Sequence, residues 1–164
     1  MDMDMDMDAD GQGVPELVAG VAAAVPPQAV SADVFQAIVR EIPQLEEDKT
    51  LLALLASSVD GNVDMCLQIM QHRIDLSAVR APAAAVEYAR RLAQRGTPLT
   101  TLLRTYRLGH ARFSDWLLKE LARHADDAQV ISATTLSMSR IVAAYIDQTS
   151  EEMVAAYTLS LIHI

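Results

Sequence analysis

At 164 residues the chain has the length of one domain, since domains mostly run to about 100–200 residues. It is 51% hydrophobic but only 4% aromatic and rich in the helix formers Ala, Leu, Arg, Gln and Glu, which excludes a disordered chain, a collagen-like chain and a disulfide scaffold and speaks against a β-sandwich. The formal net charge is −9 and both ends are acidic, which argues against general nucleic-acid affinity because that needs a basic face.

The chain opens on a Met-Asp repeat, and residues 1–13 are expected to form a low-complexity, disordered tail because Asp is a poor strand former and its charges repel. This acidic start is unlike a secretory signal, and no stretch reaches the ~20 apolar residues of a bilayer span, so a cytoplasmic protein without membrane contact is expected. Pro15 suits the first turn of a short helix that Pro26-Pro27 ends. Ser31 or Asp33 can cap a second helix over residues 34–42, with Val34, Phe35, Ile38 and Ile42 on one side and Pro43 as its stop. A third helix is predicted over 45–59, with an acidic start at Glu46, Glu47 and Asp48 and a face of Leu51, Leu52, Leu54, Leu55 and Val59. Gly61-Asn62 is expected to break or kink the path, with a fourth helix capped by Asn62 or Asp64 running to about His72. Cys66, the lone cysteine, sits in an apolar run and reads as a buried, reduced thiol.

Pro82 begins a fifth helix with Val86, Ala89 and Leu92 inward, and Gly96 stands where a left-handed cap is expected. Thr97-Pro98 restarts the chain as an N-cap and a first helical residue. The sixth helix is predicted over 98–124, with Leu99, Leu102, Leu103, Tyr106, His110, Phe113, Leu117 and Leu121 sharing one stripe. Asp126-Asp127 opens a last helix carrying Ile131, Thr135, Met138, Val142, Tyr145 and Met153 on one side. Helix follows helix through short loops, which predicts an all-α fold, an antiparallel helical bundle or a globin-like packing. Residues 159–164 read as an in-frame translation of a common transposase sequencing adapter, so the helical domain is taken as 14–158 and the chain as the front piece of a longer protein.

No enzyme or metal motif is present, so no catalysis and no cofactor are expected. His110 lies on the apolar stripe between Tyr106 and Phe113, where it is either a core histidine with a satisfied N–H or, less favoured, an axial haem ligand. Gly109 beside it marks a close helix crossing or room for a ligand. Met65, Met70, Met138 and Met153 fill the core or line an adaptable pocket. Residues 73–124 hold ten basic and four acidic side chains. If the fifth and sixth helices fold back on each other, Arg90, Arg91, Arg104 and Arg107 converge on an anion or an acidic partner; the alternative is internal pairing with carboxylates.

One stretch is specific enough to carry a resemblance. Ala89, Arg90, Ala93, Gly96, Pro98, Leu99, Leu102, Leu103, Arg104, Tyr106, Arg107, Leu108, Gly109 and His110 follow the pattern A-R-x-x-A-x-x-G-x-P-L-x-x-L-L-R-x-Y-R-L-G-H. This resembles the helical N-terminal domain of actinobacterial PucR-type (CdaR-like) transcriptional regulators, which is similar to the N-terminal domain of the RsbT co-antagonist RsbRD. The resemblance implies a non-catalytic sensing or interaction module followed by a GGDEF-like region and a helix-turn-helix, neither of which lies in this sequence. It implies DNA contact only through that later domain, and partners that are a second copy or the downstream domains. The residues put forward for ligand or partner binding are Arg90, Arg91, Arg104, Tyr106, Arg107 and His110. The other reading is an RsbR-like stressosome module that acts on protein partners alone.

Overall fold

The structure is a computed structural model, and it describes residues 5–162. Among these the chain forms six α-helices and two short 3-10 turns and no strand, an all-α helical bundle as the periodicity predicts. The helices are α1 (Met5–Ala24), α2 (Pro27–Glu41), α3 (Lys49–His72), α4 (Ala83–Gln94), α5 (Leu99–His124) and α6 (Ala128–Ile162). α1 begins at Met5, within the stretch expected as a tail, so Pro15 stands inside the helix instead of at its start; residues 1–4 of that expected tail lie outside the described residues.

Pro26-Pro27 both ends one helix and starts the next. Pro26 is the N-cap of α2 and Pro27 its first residue, where a missing N–H costs nothing, so Ser31 and Asp33 lie inside the helix and cap nothing. The chain turns by 76° between α1 and α2. α2 ends on Glu41, and a 3-10 turn at Pro43–Glu47 leads to Asp48, which caps α3 by accepting from the Leu51 N–H at 3.1 Å.

α3 runs unbroken through Gly61-Asn62, so the predicted third and fourth helices are one. Gly61 is no breaker. A Cβ there would stand 2.8 Å from Cβ of Pro82 and 3.0 Å from its Cγ, so glycine lets the start of α4 lie directly on α3. α3 is long and apolar enough to cross a membrane by length and composition. Its apolar face, including Leu51, Leu55, Val59, Val63, Cys66, Leu67 and Met70, is nevertheless buried against α1, α2, α4 and α6.

The chain between α3 and α4 is strapped to α6: the Gln148 amide donates to the carbonyls of Leu76 and Val79 at 2.7 and 2.8 Å, and the Ala81 N–H donates to the Glu152 carboxylate. The α4–α5 corner is the Schellman arrangement that Gly96 foreshadows. Gly96 has φ +72°, its N–H bonds the Ala93 carbonyl, and the Thr97 N–H bonds that of Leu92. The cap of α5 is Pro98, one residue later than expected, because the Thr97 side chain makes no capping bond; the Thr97 carbonyl instead accepts from the Tyr157 hydroxyl of α6. On α5 the predicted stripe is buried at Leu102, Tyr106, Phe113, Leu117 and Leu121, but Leu103 is exposed, since the inward line steps from Leu102 to Thr105 and Tyr106. On α6 the buried line runs through Thr134, Met138, Val142, Tyr145, Thr149 and Met153, which moves Thr135 to the flank.

Candidate functional site

The arginines named from the sequence do not converge on one point. Arg90 pairs with Glu87 one turn away on α4, and Arg104 reaches Glu41 of α2 at 3.6 Å across the surface. Both pairs are exposed, where such contacts add little stability. Arg107 is exposed, and no carboxylate pairs with it among the described residues. Arg91 is different. Its Nε and Nη1 of Arg95, one turn on, each lie 2.9 Å from Oδ2 of Asp48, whose side chain is 5% exposed. The carboxylate that caps α3 thereby ties α4 to it.

The Arg91 hydrogen bond, with help from the Leu51 N–H and Arg95 and against the cost of burial, holds the Asp48 carboxyl well below the usual carboxylate range. A lowered folded value contributes stability that is present above the unfolded pKa of about 4 and drains away as pH falls below it. Asp48→Asn keeps the capping oxygen and removes the charge. It is expected to melt below the wild type at pH 7, with the gap closing as melts are repeated toward pH 3; a gap of constant size would refute the assignment.

A second clamp, unseen in the sequence, joins α2 to α5. Nε and Nη2 of Arg112 meet the two carboxylate oxygens of Asp33 at 2.8 and 3.0 Å, and the Trp116 indole N–H donates to the same carboxylate at 2.8 Å. The Arg112 bonds lower the Asp33 pKa against the pull of partial burial. Asp33 immediately precedes Val34, so this clamp seats the face of α2 that closes the interior.

That interior holds a cavity of about 60 Å³ where α2 to α6 meet. A single water needs roughly 10–15 Å³, so this is several times the void a close-packed core leaves. The apolar wall comes from Val34 and Ile38 of α2, Leu55, Val59 and Val63 of α3, Phe113 of α5 and Val142 of α6. The polar lining is arranged around three tyrosines. The Tyr88 hydroxyl bonds that of Thr105 at 3.0 Å, and Thr105 in turn donates to the Thr101 carbonyl. The Tyr145 hydroxyl donates to Oδ1 of Asn62 at 2.7 Å, and Nδ2 of Asn62 donates to the carbonyl and hydroxyl of Ser58. The Tyr106 hydroxyl is buried without a partner. Asn62 and Ser58 lie close enough to moderate its acidity, but neither reaches hydrogen-bonding distance and angle with it. Burial pushes the Tyr88 and Tyr106 phenols up to about 12 and raises that of Tyr145 further.

His110 and Gly109 both line this cavity from α5. Gly109 marks the α2–α5 crossing, yet a Cβ there would sit 3.7 Å from Val34 and 3.9 Å from Ile38, ordinary contact distances. At about 60 Å³ the cavity is much smaller than a porphyrin. Of Met65, Met70, Met138 and Met153, the last three are buried in the core, and none of the four lines the cavity. Among the described residues no cluster of three His, Cys, Asp or Glu side chains could hold a metal ion.

Cys66 also borders the cavity, and burial pushes its thiol up to about 12. Only thiolate reacts readily, so iodoacetamide is expected to leave the native protein almost unlabelled at pH 8 and to modify it fully once denaturant unfolds it. Rapid native labelling, followed by mass spectrometry, would contradict this burial.

These features define an all-α domain built around an internal, chiefly apolar cavity. A family model for the RsbT co-antagonist protein rsbRD N-terminal domain matches residues 28–161, and the chain belongs to that family. The match points to a regulatory module. No curated protein and no solved structure matches the chain.

Proposed function

We propose that this chain is the sensory and regulatory N-terminal module of a PucR-type helix-turn-helix transcriptional regulator. It works in the cytoplasm, catalyses nothing, and passes a ligand or dimerisation signal to a downstream DNA-binding domain. The observation that carries this reading is where the most specific stretch of sequence falls. The segment from Ala89 to His110 forms α4, the Gly96 corner and the first half of α5, and its Tyr106, Gly109 and His110 line the cavity. A pattern whose last turn forms part of a cavity wall, with no catalytic constellation beside it, suits a receiver of signals. α5, at 26 residues, spans roughly 40 Å and offers a rigid element between the cavity and distant partners. DNA contact would belong to the downstream domain, and a second copy of the chain or that domain would be the immediate partner.

The family name favours a second reading, an RsbR-like module of a sigma-factor pathway that works through protein contacts alone. Sequencing the genomic locus past codon 158 separates the two. A helix-turn-helix in the same frame supports the first, and an α/β domain of the anti-sigma-factor-antagonist type supports the second. Tight, sequence-specific shifting of duplex DNA by this chain alone would overturn both.

A further inference from the structure

We propose that the cavity beneath His110 binds a small uncharged organic molecule, a short-chain ketone or alcohol, whose oxygen hydrogen-bonds the Tyr106 hydroxyl. The inference rests on the sensory reading above and names the ligand class of that module.

Size comes first. A cavity of about 60 Å³ accepts a molecule of a few non-hydrogen atoms and nothing as large as a nucleotide or a fused-ring cofactor. Charge comes second. Among the described residues no Asp, Glu, Lys or Arg lines the cavity and its one imidazole, His110, stands at the half-buried rim, so a charged ligand drawn into the apolar interior would lose its hydration with no counter-ion beside it. Polarity comes third. Buried polar atoms nearly always have partners, and around this cavity Tyr88, Thr105, Tyr145 and Asn62 all do. The Tyr106 hydroxyl, in a residue only 9% exposed, does not. An apolar wall with a single free hydroxyl is complementary to an apolar body carrying a single oxygen. A way in also exists. Asn62, Gly109, His110 and Ile146 are the half-buried members of a lining that is otherwise buried, so the cavity reaches the surface beside His110, between α3, α5 and α6.

The test is an NMR titration of the full 164-residue chain with 2-butanone, using butyrate as a charged control with the same number of carbons. Saturable shifts at the Gly109 and His110 amides are expected with 2-butanone and not with butyrate. Tyr106→Phe removes the hydroxyl with no change in shape and should weaken binding about five- to tenfold, the worth of one hydrogen bond. Val142→Phe fills the space and should abolish binding. Val142→Leu fills part of it and should weaken binding even if the larger substitution unfolds the chain. The proposal fails if 2-butanone produces no saturable shift, if Tyr106→Phe binds equally well, if butyrate binds as 2-butanone does, or if the Tyr106 hydroxyl holds a long-lived water that 2-butanone cannot displace. Binding is read directly on this chain, so its failure leaves the regulatory reading standing. A locus encoding no regulator would leave a measured affinity standing in turn.

Discussion

Alanine at Gly61 of α3 and at Gly109 of α5 is expected to act in opposite directions. Gly109→Ala should stabilise the protein by up to about 1 kcal/mol, the difference in helix propensity, because the new methyl meets Val34 and Ile38 at ordinary contact distances. Gly61→Ala gains the same propensity but drives its Cβ to 2.8 Å from Cβ of Pro82. Proline cannot swing aside, since its ring is part of the backbone at the N-cap of α4, which is packed on α3. Overpacking of this kind costs about 1–3 kcal/mol, so Gly61→Ala should be destabilising by roughly 1–2 kcal/mol net and Gly61→Val by more. At roughly 2–4 °C of melting temperature per kcal/mol, both signs are measurable by circular dichroism. Pro82→Gly removes the ring while leaving a residue tolerated at an N-cap, so Gly61→Ala should cost less in that background. A Gly61→Ala protein that melts above the wild type would show that α4 does not lie so close.

The contrast between these glycines also shows what sequence alone can carry. Local chemistry was legible: Gly96 and Pro98 announce a corner because a left-handed cap and a helix start are properties of the chain at that point. The apolar stripes were legible as well, since burial at spacings of three and four fixes which face of α5 or α6 turns inward. Pairings distant in the chain were not. Gly61 looks like a helix breaker until Pro82 is placed against it, and Asp33 looks like a cap until Arg112 and Trp116 reach it from α5. The basic segment was visible as charge, but nothing local tells Arg91, held on a buried carboxylate of another helix, from Arg107, which stands exposed. Of the candidate site, Tyr106, Gly109 and His110 could be found on one stripe. The partners that complete the cavity, Asn62, Tyr88 and Tyr145, come from three other helices and carry no shared signal in the sequence.

Asn62→Ala is expected to lower stability by about 2–3 kcal/mol, mostly through a residue it does not alter. Asn62 sits mid-helix, where asparagine is a poor choice on propensity alone, so alanine should gain a few tenths of a kcal/mol there. That gain is outweighed at Tyr145, which is 1% exposed and whose hydroxyl has Asn62 Oδ1 as its acceptor. Stripping the acceptor leaves a buried hydroxyl facing an apolar wall, and the Ser58 hydroxyl loses its contact with the amide as well. Tyr145→Phe should cost less, about 1 kcal/mol, because the Asn62 amide is half-buried and can turn to water. The double variant should be more stable than the sum of the two single losses predicts, by about 1–2 kcal/mol, since phenylalanine has no hydroxyl to strand. Denaturant melts of the four proteins close this cycle, and strict additivity would mean that the two residues do not interact. The same bond fixes the Tyr145 ring as one side of the cavity. Asn62→Ala should therefore broaden the tyrosine ring resonances around the cavity, whereas Asp48→Asn, which acts at the α3–α4 junction, should leave them sharp at temperatures where both variants are folded.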